Sequence, residues 1–144
     1  MKLLARLMCL FGLVSVTHGQ GPALREGDCW LYRTRDGEQG SFLVIRKIED
    51  TPGAGQVAHI SVFRLHVKSP AAPGGYTDQI GHLPISIKAL RKSVTSKTPE
   101  TPPQTDWRAG YDSWKAAKGG VFTESVSKCV EFVEQAISRG QPKT

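Results

Sequence analysis

Apolar and polar positions alternate most clearly near the middle of the chain, where Phe63, Leu65 and Val67 oppose Arg64, His66 and Lys68. A period of two marks a strand with one buried face. It predicts a long strand from Gln56 to Lys68. Ser41 to Glu49 reads as a preceding strand, with Phe42, Val44 and Ile48 on one face and Leu43, Ile45 and Lys47 on the other. Cys29-Trp30-Leu31-Tyr32-Arg33 is rich in strand formers and makes a first strand. Asp36-Gly37 and Asp50-Thr51-Pro52-Gly53-Ala54-Gly55 are the turns between them. Three successive strands joined by short turns form an antiparallel meander, which needs a cover for its apolar face.

The rest of the chain supplies that cover. Ser69 to Gly75 is a Pro- and Gly-rich loop leading into Tyr76-Thr77-Asp78-Gln79-Ile80-Gly81-His82. Ser86 is placed to cap a short helix bearing Ile87, Leu90 and Val94 on one stripe. Residues 95–104 hold Pro99, Pro102 and Pro103 among Ser, Thr and Lys, and read as an extended internal loop. Thr105 or Asp106 caps a second helix whose stripe is Trp107, Gly110-Tyr111, Trp114 and Ala117. Gly119-Gly120 stops it. Ser125 or a neighbour opens a last helix with Val126, Cys129, Val130, Val133, Ala136 and Ile137 inward. The expected fold class is α+β: an antiparallel meander of three to four strands covered by about three helices, in a single domain over residues 27–138.

The first nineteen residues follow a different pattern. Lys2 and Arg6 precede an apolar run from Leu7 to Val16, and Thr17 and Gly19 offer small side chains for cleavage after Gly19. That is the form of a secretory signal peptide, with an apolar run too short to span a bilayer. Export and a periplasmic or extracellular location are therefore expected. Removing Lys2 and Arg6 lowers the net charge from +6 to +4. The remaining basic residues are scattered, without the concentrated face of a nucleic-acid binder. No second apolar run is long enough to cross a membrane, and a monomer is expected. Cys29 and Cys129 are then the two remaining cysteines. In an oxidising compartment an even count suggests a bridge between them; two independent buried thiols are the alternative.

Several segments together resemble a family of short, uncharacterised bacterial proteins. They are Gly27-Asp28-Cys29-Trp30-Leu31-Tyr32-Arg33-Thr34-Arg35, Ala72-Pro73-Gly74-Gly75, Ile80-Gly81-His82-Leu83-Pro84, Ser93-Val94-Thr95, Gly110-Tyr111-Asp112-Ser113-Trp114 and Gly119-Gly120-Val121-Phe122-Thr123. The resemblance runs from about Gly27 to Ile137. It implies a bacterial origin and one domain, and it implies no activity. The family pattern has an aliphatic residue at the position of Cys29 and a small one at that of Cys129. The two changes together favour a bridge suited to an exported member.

Recognised catalytic constellations are absent from the sequence. His59, His66 and His82 lack the short repeated spacing of zinc ligands, and on a regular strand His59 and His66 would face opposite sides. No Ser lies in a Gly-x-Ser-x-Gly setting, and Gly74-Gly75 is not followed by a phosphate-binding Lys. No cofactor, metal or catalytic residue is expected. The candidate binding residues are Tyr76, Asp78 and His82 in one loop, and Trp107 at a helix start. The bland alternative has Gly74-Gly75 turning the chain, Asp78 capping the turn and His82 bonded to backbone. The leading functional expectation is an exported, non-enzymatic domain that binds a protein or ligand in the bacterial envelope. The alternative is a small hydrolase-like enzyme using the Asp78–His82 loop.

Overall fold

The structure, a computed structural model, describes residues 21–140. The expected signal peptide, with Cys9, lies outside them. Strands β1 (Cys29–Tyr32), β2 (Phe42–Thr51), β3 (Gly55–Lys68), β4 (Tyr76–Ser86) and β5 (Val94–Lys97) form one antiparallel sheet in the order β4-β3-β2-β1-β5. Helices α1 (Ile87–Ser93), α2 (Trp107–Ala116) and α3 (Val126–Arg139) complete an α+β fold. The helix caps are those the sequence indicates. Ser86, Asp106 and Ser125 each accept a hydrogen bond from the backbone N–H three residues on.

The sheet has one strand more than the upper expectation. β4 replaces most of the loop that was to carry Asp78 and His82, and β5 takes the first residues of the Pro-rich segment. Pro84 is tolerated because β4 is an edge strand, where a missing N–H can point away from the ladder. Just beyond α2, Phe122 closes the end of that edge through a parallel bridge to Ile85.

Both faces of the sheet are covered. On the first, Trp30, Tyr32, Leu43, Ile45, Ile60, Val62, Leu65 and Val67 pack with Leu90 of α1 and Val126, Cys129 and Val130 of α3. On the second, Cys29, Phe42, Val44 and Phe63 form a smaller apolar cluster, and α2 lies over the neighbouring polar part. The two thiols therefore belong to opposite faces, and both are free and buried. This corrects the expected bridge. Strand alternation sends Trp30 and Tyr32 toward α3 and so turns Cys29 away from it.

Three bulges decide what the second face carries. β2 shifts register between Ile45 and Lys47, β3 between Phe63 and Val67, and β4 between Ile80 and Leu83, opposite Val62 and Ile60. A bulge sets two consecutive residues against one partner. Ile48 thereby joins the first face with Ala58, while Lys47 pairs with His59 on the second. Arg64, at φ 57, is the strained residue of the β3 bulge. Past it, Leu65 and Val67 return to the first face, which puts His66 on the same side as His59 rather than the opposite one.

Candidate functional site: a carboxylate–histidine–histidine line under a helix

Within β3, His59 and Ser61 interrupt the apolar run Val57-Ala58-His59-Ile60-Ser61-Val62-Phe63, and both are fully buried. A buried polar side chain needs partners. Ser61 donates to the carbonyl of Gly81 at 2.6 Å and accepts from Arg46 at 2.9 Å. His59 sits between two strands. Its Nε2 is 2.9 Å from Glu49 Oε1 on β2, and its Nδ1 is 2.9 Å from His82 Nε2 on β4. The Tyr111 hydroxyl of α2 donates to both Glu49 oxygens at 2.9 and 3.0 Å. Lys47 Nζ adds an ion pair at 3.6 Å.

The protonation pattern follows from the donors. Ionised Glu49 only accepts, so His59 Nε2 carries a hydrogen. Neutral His59 then accepts at Nδ1, and His82 donates from Nε2. Burial lowers the pKa of His59 against the pull of Glu49. Burial also pushes His82 down, to about 4, with His59 beside it adding to the shift. For Glu49, burial works to raise the pKa, and the hydrogen bonds from Tyr111 and His59 and the charge of Lys47 outweigh it. At neutral pH the line is one carboxylate and two neutral imidazoles.

Helix α2 closes over this line. His59 meets Tyr111 and Trp114 edge-on, with ring centroids 4.7 and 4.8 Å away. Gly110 allows the close approach: a Cβ there would lie 2.7 Å from His82 Cβ. Tyr111 is the one buried residue of α2. Trp114 donates its indole N–H to the carbonyl of Gly120 at 2.9 Å, and Gly119 packs so close to the indole that a Cβ would overlap it.

Beside the line, the β2–β3 hairpin and the end of α2 enclose an open cleft of about 630 Å³. The hairpin contributes Glu49, Asp50, Thr51 and Pro52, and the helix end Trp114, Lys115, Lys118 and Gly119. Asp50, Lys115 and Lys118 make no ion pair among the described residues.

The four candidates from the sequence do not converge. Tyr76 is exposed and stacks on His66 at 3.9 Å. Asp78 is exposed and borders a small groove of about 150 Å³ with Phe42, Phe63 and Arg64. No hydrogen bond joins it to His82 or caps the Gly74-Gly75 turn among the described residues. His82 bonds a side chain, not backbone. Trp107 is half-buried, 6.0 Å from the Tyr111 ring, under the Arg108 guanidinium. Among the described residues no group of three or more His, Cys, Asp or Glu is placed to hold a metal ion, and no helix is long and apolar enough to cross a membrane. Sequence reading missed Glu49, His59 and Tyr111. The available signal was the pair of polar residues inside the apolar run of β3.

Comparison with protein-family models, with curated proteins and with solved structures found no match to the chain.

Proposed function

We propose that the chain is an exported, non-enzymatic binding domain of the bacterial envelope, and that the cleft beside Trp114 takes a small zwitterionic ligand such as an amino acid or a short peptide with free ends. The composition of the cleft carries this reading. Its volume of about 630 Å³ lies in the range of small-molecule sites, roughly 300–1,000 Å³. Asp50 stands on the hairpin side, Lys115 and Lys118 at the helix end, and Trp114 also lines the cleft. The carboxylate suits a ligand ammonium, the lysines suit a ligand carboxylate, and the indole suits an apolar or cationic part. The leader-like N-terminal pattern supports export.

Isothermal titration at pH 7.5 with free-ended dipeptides and with their N-acetylated, C-amidated forms tests this. Free-ended peptides should bind, and Lys118→Ala should weaken them. Absence of binding by free-ended peptides at millimolar concentration, or equal binding of capped ones, would sink the reading. A second reading, a small hydrolase, draws on the Glu49–His59–His82 line, which has the order of an orienting carboxylate behind a base. No hydroxyl or thiol is hydrogen-bonded to His82 among the described residues. Ester or amide hydrolysis by the purified protein that is lost in His82→Ala would favour that reading.

A further inference from the structure

We propose that helix α2 is an acid-released clamp, opened when the facing pair His59–His82 takes up its second proton, so that the cleft beside Trp114 is assembled at neutral pH and dismantled in mild acid. This rests on the binding reading above for its purpose, and on the geometry of α2 for its mechanism.

The groups that face the pair are known from each packed element. β2 brings Glu49 and Lys47, and also Arg46, which reaches Ser61 and through it the Gly81 carbonyl next to His82. From α2 come the Tyr111 hydroxyl and Lys115, whose Nζ is 5.7 Å from the Tyr111 ring centre. Glu49 is the only acid in the set, and it already serves His59, Tyr111 and Lys47.

One proton can be accommodated. With His59 doubly protonated, its Nδ1–H can donate to His82 Nε2 once the His82 proton moves to Nδ1. A second proton cannot. Two imidazoliums would point N–H against N–H across 2.9 Å, with a single carboxylate and two or more cations around them. The pair must separate. β3 and β4 are held together by their ladder on both sides of the Gly81-His82 bulge, so the His82 ring moves rather than the strand, and it moves against α2, which is held at this place by Tyr111, Trp114 and the Gly110–His82 contact. An irregular segment precedes α2 and Gly119-Gly120 follows it. The helix is therefore the part that yields. Its departure removes Trp114, Lys115 and Lys118 from the cleft, which is one whole wall.

The direction agrees with the histidine chemistry. Both folded pKa values lie below the ordinary value, that of His82 at about 4. The closed state thus binds fewer protons than the open one, and closure is lost as pH falls from about 6.5 toward 4.

The test is hydrogen–deuterium exchange on the ligand-free protein from pH 7.5 to 4.0, corrected for intrinsic rates. Protection in α2 should fall while α3 and the central strands stay protected. The loss should be steepest between about pH 6 and 4.5, where it should exceed tenfold per pH unit and tend toward the hundredfold limit of a two-proton linkage, and it should flatten near pH 4, where the closed pair itself takes up a proton. His82→Gln keeps a donor toward His59 but cannot charge, and should hold the slope to tenfold or less. Tyr111→Phe should open α2 more readily at neutral pH while keeping the steep slope. Unchanged α2 protection at pH 4.0, simultaneous opening of all elements, or a wild-type slope in His82→Gln would each overturn the clamp. Peptide titration at pH 7.5 alone decides the binding reading. An acid-opening helix in a protein that binds no peptide sinks only that reading, and peptide binding by a helix that stays closed sinks only the clamp.

Discussion

Substituting Gly110 by Ala sets two effects of opposite sign against each other. In a free helix the change would stabilise, because Gly in a helix interior costs about 0.8–1 kcal/mol relative to Ala. Here the new methyl would lie 2.7 Å from His82 Cβ and 3.3 Å from Cγ. Carbon atoms rest at about 3.5–4.0 Å, so something must retreat by nearly an ångström. His82 Cβ cannot, since it is rooted in β4, and its ring is tied to His59 at 2.9 Å. The helix must lift. That displacement stretches the bonds from Tyr111 to Glu49, now 2.9 and 3.0 Å, toward the limit of hydrogen bonding. A hydrogen bond to a charged acceptor is worth about 1.5–3 kcal/mol, and overpacking costs a similar 1–3 kcal/mol. These describe one movement and are not added. Against the propensity gain, the net loss is about 1 kcal/mol, in a range of about 0–2 kcal/mol. Urea unfolding at pH 7.5 followed by fluorescence should show a lower midpoint at unchanged slope. Adding His82→Gly, which removes the Cβ itself, should cancel much of the penalty, a coupling that a double-mutant cycle reads directly. A higher midpoint for Gly110→Ala alone would refute the reasoning, because α2 would then be behaving as a helix without a seat.

Three further outcomes are expected. Cys29 and Cys129 are buried on opposite faces, with the Cys129 thiol pushed up to about 11 by burial; a thiol reagent should titrate both after denaturation without reductant and neither quickly before, and a reductant should leave the melting temperature unchanged. Lys118 is exposed at φ 50 just past α2, where Gly is unstrained, so Lys118→Gly should raise stability by about 0.5–1 kcal/mol in the same urea assay. Glu38 is buried, accepts two bonds from Arg35 at 2.6 and 2.9 Å and takes the His66 backbone N–H at 2.6 Å; Glu38→Ala leaves those donors unpaired and should cost about 2–4 kcal/mol by thermal unfolding.

What could be read from the sequence was what local chemistry decides. Ser86, Asp106 and Ser125 announce their helices because a capping oxygen is a short-range requirement. β1, β2 and β3 announce themselves by strand formers between turn residues. β4 was hidden because it carries Asp78, Gly81 and Pro84, each a poor strand former, and becomes a strand through pairing with β3. β5 is four residues, three of them polar, and exists because β1 offers it an edge. The site was hidden for a further reason. Glu49, His59, His82 and Tyr111 lie far apart along the chain, and strict alternation misplaces side chains wherever a bulge intervenes. Ile48 was assigned to the face of Phe42 by parity, and the bulge after Ile45 moves it across. The same assumption of a regular strand set His59 and His66 on opposite sides.

The bulges also have a consequence for insertions and deletions. β2 carries one residue more than its stretch of the ladder with β3 requires, and Arg46 is that surplus. Its side chain lies over the Phe63 ring at 5.9 Å, much as Arg64 at the β3 bulge lies over Phe42 at 5.0 Å. Losing Arg46 would restore plain alternation and leave Lys47, Ile48 and Glu49 facing as they do now. Losing Val44 instead would move Ile45 onto the second face and bring Arg46 into the larger apolar core of the first. Two single-codon deletions, two positions apart in one strand, should thus differ sharply in the soluble, folded protein they yield. Equal yields would mean that the strand slips to absorb either loss.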